Sequence, residues 1–313
     1  MKKQHSIKAV ATRTGLSPHV IRVWERRYGA VTPSRTDTNR RVYSDDDIDR
    51  LILLRKATLA GESIGQIAGL PTDELLELVG DRMDARSDSQ VSVSGGTQAE
   101  FYLKMSLDAV MRIDAGALEA TLLKAYVALG QSVVLNRVVR PLLDRIGDMW
   151  NDGTLKIMHE HLVSAVVRTF LGHMVSSGRA DQSSPAVVMT TPAGQVHEFG
   201  AMMAAVVAAY RGWRAVYLGP NSPAEDIAHA VNQSKARVAA LSIVYPPDDP
   251  QVSREMTKLR ELIGPEVAIV AGGRSVASYM KVLDDVRARV VEDFDELAQQ
   301  LDVYRSGALR PVR

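Results

Sequence analysis

His197 and Gly200 stand three residues apart in a segment that follows an apolar, β-branched stretch and opens a helical one. In an open α/β sheet, ligands bind at the loops that follow the carboxyl ends of the strands. An imidazole in such a loop can project above the sheet, and the missing side chain of Gly200 lets a large planar ligand approach the backbone. Because the chain has no cysteine, a metal or cofactor must be held by histidine, carboxylates, backbone groups or shape.

Other residues that matter later lie outside this segment. Ser242 and Val244 lie at the end of a third apolar stretch, and the pair Gly272 and Gly273 lies at the end of a fourth. Upstream, Trp150 is predicted to end one helix, and after nine residues Glu160 and His161 lie on the next.

The region from residue 184 to 308 supplies the elements that would position these loops. Apolar, β-branched runs predict strands at residues 186–190, 214–219, 238–244, 267–273 and 288–292, with helical stretches between them. Strands that are apolar throughout are buried on both faces. We therefore expect a five-stranded parallel sheet domain of the flavodoxin-like (Rossmann-type) class, within an α plus α/β multidomain chain.

Two other segments precede this domain. Residues 99–180 have helical apolar spacing with few breakers, which predicts a bundle of four helices. Residues 84–98 have few large apolar side chains and include Gly95 and Gly96, so we expect a flexible linker there.

The amino-terminal segment, residues 1–83, differs from the rest in charge. Residues 1–60 carry thirteen Lys and Arg against six Asp and Glu, an excess of seven positive charges. Because the whole chain has a net charge of +1, the other residues carry a net charge of −6. A basic head on an acidic body is typical of a protein that binds nucleic acid at one end only.

Within this head, the spacing predicts a helix from Ile7 to Thr14, a turn at Gly15, and a second helix capped by Ser17. The second helix buries Val20, Ile21 and Trp24 and presents its basic side chains outward. This is helix-turn-helix geometry, whose second helix enters the major groove, and the following hairpin would form a basic wing. The candidate DNA-contacting residues are His19, Arg22, Arg26, Arg27, Tyr28, Arg35, Arg40, Arg41 and Tyr43.

The head resembles that of the MerR family over roughly residues 5–70. The resemblance rests on the segments W-E-R-R-Y-G, P-x-R-T and R-x-Y-S-x-x-D. It implies a winged helix-turn-helix that binds a double-stranded DNA operator. MerR-type dimers pair through a long helix after this domain, whereas here only PTDELLELVGDRM intervenes before the linker. We therefore expect dimers or tetramers to form through the carboxyl-terminal two-thirds of the chain.

The segment around His197 resembles the base-off, His-on cobalamin signature, and the Trp150 to His161 segment resembles that of the light-responsive CarH/LitR-type MerR regulators. The resemblance implies that His197 is the axial ligand of cobalt. It implies that Ser242, Val244, Gly272 and Gly273 border the nucleotide tail, and that Trp150, Glu160 and His161 in the bundle cover the upper face of the cofactor.

Two positions depart from these patterns. Where the cobalamin signature usually has Asp or Glu, this chain has Gln195. We expect the Gln195 carbonyl to accept the second imidazole N–H without a charge, so that cobalt ligation survives but weakens. Where light-sensing members often carry a histidine after the tryptophan, this chain has Asn151. A light response is therefore a hypothesis only.

These observations predict a cytoplasmic, non-enzymatic repressor controlled by cobalamin, with adenosylcobalamin favoured, bound between the bundle and the α/β domain. The chain has no eighteen-residue apolar run and no apolar segment after Met1-Lys2-Lys3, so neither a membrane span nor a signal peptide is expected. Two alternatives stay open: a regulator whose body binds another tetrapyrrole or no cofactor, and a corrinoid-carrying methyltransferase module.

Overall fold

The structure, a computed structural model, describes residues 4–16, 18–36, 40–59, 64–84, 95–178, 180–181 and 183–306. The chain forms two compact units, Met1–Val167 and Arg168–Arg313. The first contains the head and most of the helical region, and the second contains the parallel sheet.

The head combines a small antiparallel sheet, of strand order β1-β3-β2, with short helices. Ser6 begins the first helix by accepting a hydrogen bond from the Ala9 N–H, and Gly15, with φ of 67°, ends it. This is the predicted winged helix-turn-helix. Its elements are β1 (His5–Ser6), α1 (Ile7–Thr14), α2 (Pro18–Tyr28), β2 (Ser34–Arg35), β3 (Arg41–Tyr43), α3 (Asp45–Leu59), α4 (Ile64–Ile67) and α5 (Thr72–Asp84).

The helical region follows. Its elements are α6 (Gly95–Met111), α7 (Ala115–Val134), a π-helical turn (Leu135–Val139), α8 (Arg140–Asn151) and α9 (Ile157–Ser177). The predicted linker of residues 84–98 is too long at both ends, because α5 includes Asp84 and α6 already begins at Gly95. The two glycines lower helix propensity without preventing a helix there. Residues 85–94 lie outside the described residues.

The run from Ala115 to Asn151 is long and apolar enough to cross a membrane by length and composition alone. It is not one regular helix, because Gly130 has a non-helical φ of 78° and the π-helical turn follows. In that turn the Arg140 N–H donates to the Leu135 carbonyl, five residues earlier, and Pro141 has no N–H to donate. Its side chains Leu118, Leu122, Val134, Leu135 and Leu142 are fully buried in the bundle, as in the core helix of a folded domain.

The second unit contains five parallel strands in the order β5-β4-β6-β7-β8, which is the predicted flavodoxin-like arrangement. All five residues of β4 are buried, as expected for a strand covered on both faces. The elements are β4 (Ala186–Thr190), α10 (Phe199–Tyr210), β5 (Arg214–Tyr217), α11 (Ala224–Ser234), β6 (Ala236–Ser242), α12 (Pro250–Ile263), β7 (Ala268–Gly272), a 3-10 turn (Val276–Tyr279), α13 (Met280–Asp285), β8 (Arg289–Val291) and α14 (Phe294–Ser306).

One core of this unit lies between the sheet and helices α11 and α12. It contains Val188 and Leu241 from the strands with Ile227, Met256 and Leu259 from the helices. Because the strands are parallel, the loops after β4, β6 and β7 all emerge at the same edge of the sheet. This edge carries the candidate ligand-binding residues of the sequence.

Candidate DNA-binding surface and cofactor cleft

Helix α2 has the two faces that the sequence predicts. Val20, Ile21 and Trp24 are buried, whereas Arg26 and Arg27 are exposed. Arg22 is half-buried. The Ser17 cap and the His19 side chain lie outside the described residues.

Arg27 already has an acidic partner on its own chain. Its guanidinium donates a hydrogen bond to Glu119, which lies on α7 in the same unit, and it also lies 5.7 Å from the centre of the Tyr28 ring. The hydrogen bond to Glu119 raises the pKa of Arg27. DNA phosphates would therefore have to compete with a carboxylate for this side chain.

The wing is the hairpin of β2 and β3, in which Arg35 pairs with Arg41. Arg40 is exposed, and its backbone N–H donates to the Thr36 hydroxyl at 3.2 Å. The Arg41 Nε donates to both carboxylate oxygens of Glu25, at 2.8 and 2.9 Å. This bond raises the pKa of Arg41 and neutralises its charge against α2, so Arg40 is the better placed of the two for DNA.

The prediction that Tyr43 contacts DNA is wrong, because its side chain is fully buried. Its hydroxyl donates to Glu25 at 3.4 Å, and burial raises the pKa of Tyr43. The tyrosine of the R-x-Y-S segment therefore connects β3 to α2 inside the head.

At the carboxyl edge of the parallel sheet, the loop after β4 meets the end of β6. Gly200, in the first turn of α10, lies so close to Ser242 that a Cβ atom on it would be 2.4 Å from the Ser242 Oγ. The Ser242 hydroxyl is buried and has no hydrogen-bond partner within the described part of the chain. The structure therefore brings together the predicted pair Gly200 and Ser242, which lie 42 positions apart in the chain.

The loop after β7 borders the same edge. Gly273 has φ of 119°, and a Cβ atom there would lie 2.3 Å from the Ile243 carbonyl oxygen, so only glycine fits. Gly272 is the last residue of β7 and is packed against Val291. Val244 is half-buried, and its carbonyl accepts a hydrogen bond from the Ser275 hydroxyl at 2.6 Å.

The expected hydrogen bond from the His197 imidazole to Gln195 is absent from the described residues. Gln195 is fully buried. Its Oε1 accepts from the N–H groups of Val244 and Tyr245, both at 2.8 Å, and its Nε2 donates to the Pro246 carbonyl at 3.0 Å. Since an amide oxygen has two lone pairs, the Gln195 carbonyl has none left for the imidazole.

Two groups near His197 have contacts that the sequence pattern does not predict. The Tyr245 ring lies edge to face with the His197 ring, with centroids 6.0 Å apart. Glu198 accepts hydrogen bonds from Arg168 and from the Tyr217 hydroxyl. Burial and then Glu198 raise the pKa of Tyr217, which keeps it a donor. Neither group has a local sequence signal, because the partners come from other loops or helices.

In the helical region, Trp150 lies near the end of α8 and is half exposed, with Asn151 exposed beside it. On α9, Glu160 accepts a hydrogen bond from Ser164 at 2.5 Å, and the His161 Nε2 lies 3.7 Å from the Glu160 Oε2. Trp150, Glu160 and His161 all keep polar or aromatic surface available for a ligand.

No group of three or more His, Asp or Glu that could hold a metal ion occurs in the described residues. A lone imidazole such as His197 can still serve as one axial ligand to a metal that an organic cofactor holds by its other positions.

Family models match three parts of the chain. A "MerR HTH family regulatory protein" model matches residues 5–72, and two "B12 binding domain" models match residues 102–174 and 185–297.

Two curated relatives from Myxococcus xanthus match nearly end to end. The "HTH-type transcriptional repressor CarH" is 30% identical over 300 residues, which is 95% of this chain and 99% of the relative. The "HTH-type transcriptional repressor CarA" is 25% identical over 311 residues, covering 97% and 99%. The Escherichia coli "HTH-type transcriptional regulator MlrA" matches only 74 residues, at 31% identity, or 24% of this chain and 30% of the relative.

Among solved structures, the Methanosarcina barkeri monomethylamine corrinoid protein is similar, with a TM-score of 0.51 and 16% identity over 65% of this chain and 98% of that chain. This likeness confirms the fold. The matched models and the end-to-end relatives show that the chain belongs to the MerR family of DNA-binding transcription regulators, in the group that carries B12-binding domains.

Proposed function

We propose that the chain is a transcriptional repressor whose affinity for operator DNA is controlled by bound cobalamin, adenosylcobalamin in particular. The observation that carries the proposal is the buried Ser242 hydroxyl beside Gly200, which has no hydrogen-bond partner among the described residues. A buried hydroxyl without a partner costs about 1–3 kcal/mol. A polar cofactor tail in this cleft would supply the missing partner.

The residues at this edge of the sheet fit such a cofactor by their chemistry. A Cβ atom on Gly200 or Gly273 would meet the Ser242 Oγ or the Ile243 carbonyl, so the two glycines let the loops pack closely at this edge, where Ser242 offers a neutral hydrogen-bonding group. In this proposal His197 would ligate cobalt, and Ser242, Val244, Gly272 and Gly273 would border the tail. Cobalamin would supply a cobalt ion that can exchange its axial ligands, with a light-sensitive cobalt–carbon bond in the adenosyl form.

The proposed division of labour has three parts. Residues 1–83 bind DNA, residues 99–180 provide Trp150, Glu160 and His161 for the upper face of the cofactor, and residues 184–308 provide the cleft. A chain that carries one small head gains DNA affinity by self-association into dimers or tetramers, because linked heads bind neighbouring sites together. A repressor that acts on operator DNA works in the cytoplasm of a bacterial cell.

The family assignment favours a regulator over a corrinoid-carrying methyltransferase module. The matched head and the two end-to-end relatives are those of transcription regulators. The likeness to a methylamine corrinoid protein concerns the fold alone. We therefore propose no catalytic activity.

The ultraviolet-visible spectrum tests the cofactor. After incubation with adenosylcobalamin and gel filtration, the wild-type protein should retain the cofactor with the spectrum of a histidine-ligated cobalt. His197→Ala should lose that spectrum, whereas His229→Ala, an exposed histidine on α11, should keep it. Wild-type protein that retains no corrinoid would overturn the proposal and favour a body with another ligand or none.

Titration of operator DNA at several salt concentrations tests the head. Arg26→Ala and Arg40→Ala should weaken binding, and each should reduce the slope of log K against log salt by about one if the side chain contacts a phosphate. Arg254→Ala, on the exposed surface of α12, serves as the control. An unchanged slope in both head variants would place the DNA-binding surface elsewhere.

Green illumination of the adenosylcobalamin-loaded protein tests the light response. We expect a changed spectrum, a smaller oligomer in gel filtration and release of operator DNA, because loss of the upper ligand would shift the protein to its weakly binding state. An unchanged spectrum and an unchanged oligomer would reject light as the signal, and would be explained by Asn151 in the position after Trp150. Such a result would not contradict cobalamin binding.

A further inference from the structure

The side chain of Gln195 joins two loops of the cleft. It lies in the loop after β4, and all its hydrogen bonds go to the loop after β6: two backbone N–H groups donate to its oxygen, and its nitrogen donates to the Pro246 carbonyl. The Gln195 backbone carbonyl accepts from Asn221 at 3.0 Å, and also from Thr191, so its own loop is fixed as well. A fully buried side chain with this many bonds is held in one conformation.

The loop that Gln195 holds carries the aromatic neighbour of His197. Tyr245 donates its N–H to Gln195, and its ring lies edge to face with the imidazole at an interplanar angle of 82°. The same loop is held from the β7 side, because the Tyr279 hydroxyl donates to the Pro246 carbonyl at 2.8 Å. The Tyr245 ring itself is 61% exposed, so only its backbone is fixed by the core.

We propose that Gln195 is a positioning residue for His197: it sets the imidazole through the Tyr245 loop and does not act as its hydrogen-bond acceptor. This inference rests on the proposed function, in which His197 ligates cobalt. It gives the glutamine a specific chemical reason, because the site needs an acceptor for two N–H groups and a donor for the Pro246 carbonyl. An amide has both, and an ionised carboxylate has no donor.

The proposal and its rival predict opposite effects for Gln195→Glu. If residue 195 served as the acceptor for the imidazole, a carboxylate would strengthen His197 as a ligand and cobalamin binding would tighten. If Gln195 fixes the loop, the second carboxylate oxygen faces the Pro246 carbonyl oxygen, the loop shifts, and binding weakens. The sign of the change therefore decides between them.

The experiment measures the affinity of the full-length protein for adenosylcobalamin. Gln195→Glu should weaken it by roughly 10- to 100-fold, the range for changes to groups that orient a metal ligand. Gln233→Glu makes the same chemical change at an exposed position on α11 and should have no effect. Gln195→Glu that binds as tightly as the wild type, or more tightly, would overturn the inference while leaving the proposed function intact.

A second pair of variants keeps the inference testable if Gln195→Glu fails to fold. Tyr245→Leu removes the exposed ring and leaves the loop bonds in place. It should reduce the fraction of bound cobalamin with the spectrum of histidine-ligated cobalt, and it should lower the affinity for adenosylcobalamin by roughly 2- to 10-fold. Tyr245→Phe keeps the ring and should restore both. Equal spectra for wild type and Tyr245→Leu would contradict the role of this ring.

Hydrogen exchange in the cofactor-free protein provides a readout that does not depend on cobalamin. The amides of Val244 and Tyr245 should be protected in the wild type and should exchange faster in Gln195→Met, which keeps the size of the side chain and removes its bonds. Unchanged protection would show that Gln195 does not hold the loop. Wild-type protein that shows this protection and yet binds no cobalamin would instead overturn the proposed function.

Discussion

The DNA-binding head and the cofactor cleft use opposite kinds of side chain. In the head, the candidate DNA-contacting groups are mostly long cations, and two of them are paired with acids of the same chain: Arg41 with Glu25, and Arg27 with Glu119. In the cleft, the groups are small or neutral, as in Gly200, Ser242 and Gln195. The proposed DNA-binding surface would therefore act through charge, and the proposed cofactor site through close packing and fixed hydrogen bonds.

This difference follows from the ligands. Flexible cationic side chains can leave one anionic partner and bind a DNA phosphate instead. Salt weakens this binding. A large buried cofactor instead requires a site of defined shape. Each misplaced atom lowers the binding free energy, because it disturbs the packing or leaves a polar group unpaired. Substitutions in the cleft should therefore act at any salt concentration, and those in the head should depend on salt.

The largest effect is expected for Gly273→Ala. The added Cβ would lie 2.3 Å from the backbone oxygen of Ile243, at a φ of 119° that alanine rarely adopts. We expect the free energy of unfolding in urea to fall by roughly 2–4 kcal/mol, independently of salt. Gly264→Ala is the control, because it also has a positive φ, of 70°, but no neighbouring atom within 4 Å. Equal losses in the two variants would mean that backbone strain alone, and not the close approach to Ile243, makes Gly273 necessary.

A smaller effect, confined to high pH, is expected for Tyr43→Phe. Because burial raises the pKa of Tyr43 above the value of about 10 in an unfolded chain, the folded state binds the phenol proton more tightly. The resulting stability is complete below about pH 10 and is lost as the pH rises toward the folded pKa. Between pH 10 and 11 the wild type should lose up to about 1.4 kcal/mol more unfolding free energy than Tyr43→Phe.

Operator affinity of the same variant at neutral pH checks the structural assignment. Tyr43→Phe should bind operator DNA like the wild type, because the hydroxyl is buried against Glu25. A loss of operator affinity comparable to that of Arg40→Ala would show that Tyr43 contacts DNA, and that the head does not bind DNA through its charged side chains alone.

The smallest effect is expected for Glu119→Gln, which releases Arg27 for DNA. Both side chains are partly exposed, so the pair contributes at most about 1 kcal/mol. Operator affinity should rise by roughly 2- to 5-fold at low salt, and this gain should shrink as salt screens the pair. The effect should vanish when Arg27→Gln is also present. Glu100→Gln, on the exposed face of α6, should change nothing; a gain there as large as that of Glu119→Gln would point to a general charge effect.

Much of the architecture could be predicted from the sequence because its signals are local. The five strands lie within two residues of the predicted limits, since strands buried on both faces appear as continuous apolar runs. The spacing of His197 and Gly200 correctly places them at the start of α10. The predicted limits of the linker are wrong at both ends, in part because the glycines that begin α6 resemble helix breakers.

What could not be predicted is which side chains become partners. Gln195 bonds to residues about fifty positions away, and Arg27 pairs with Glu119 from another helix. Such pairs depend on how loops and helices meet in space, and one sequence carries no periodic signal for them. Its closeness to His197 in the sequence predicts a hydrogen bond between Gln195 and the imidazole. In the structure, backbone groups of the loop after β6 bind the Gln195 amide instead.

The π-helical turn at Leu135–Val139 sets the rotational phase of α8. A π turn contains one residue more than an α-helical turn, and each residue rotates a helix by about 100°. Without this extra residue, every side chain of α8 would point about 100° away from its present direction, and Trp150 would be carried round to a different side of the bundle. The π-helical turn before Pro141 therefore sets the direction of the Trp150 side chain, although the turn begins fifteen residues earlier, at Leu135.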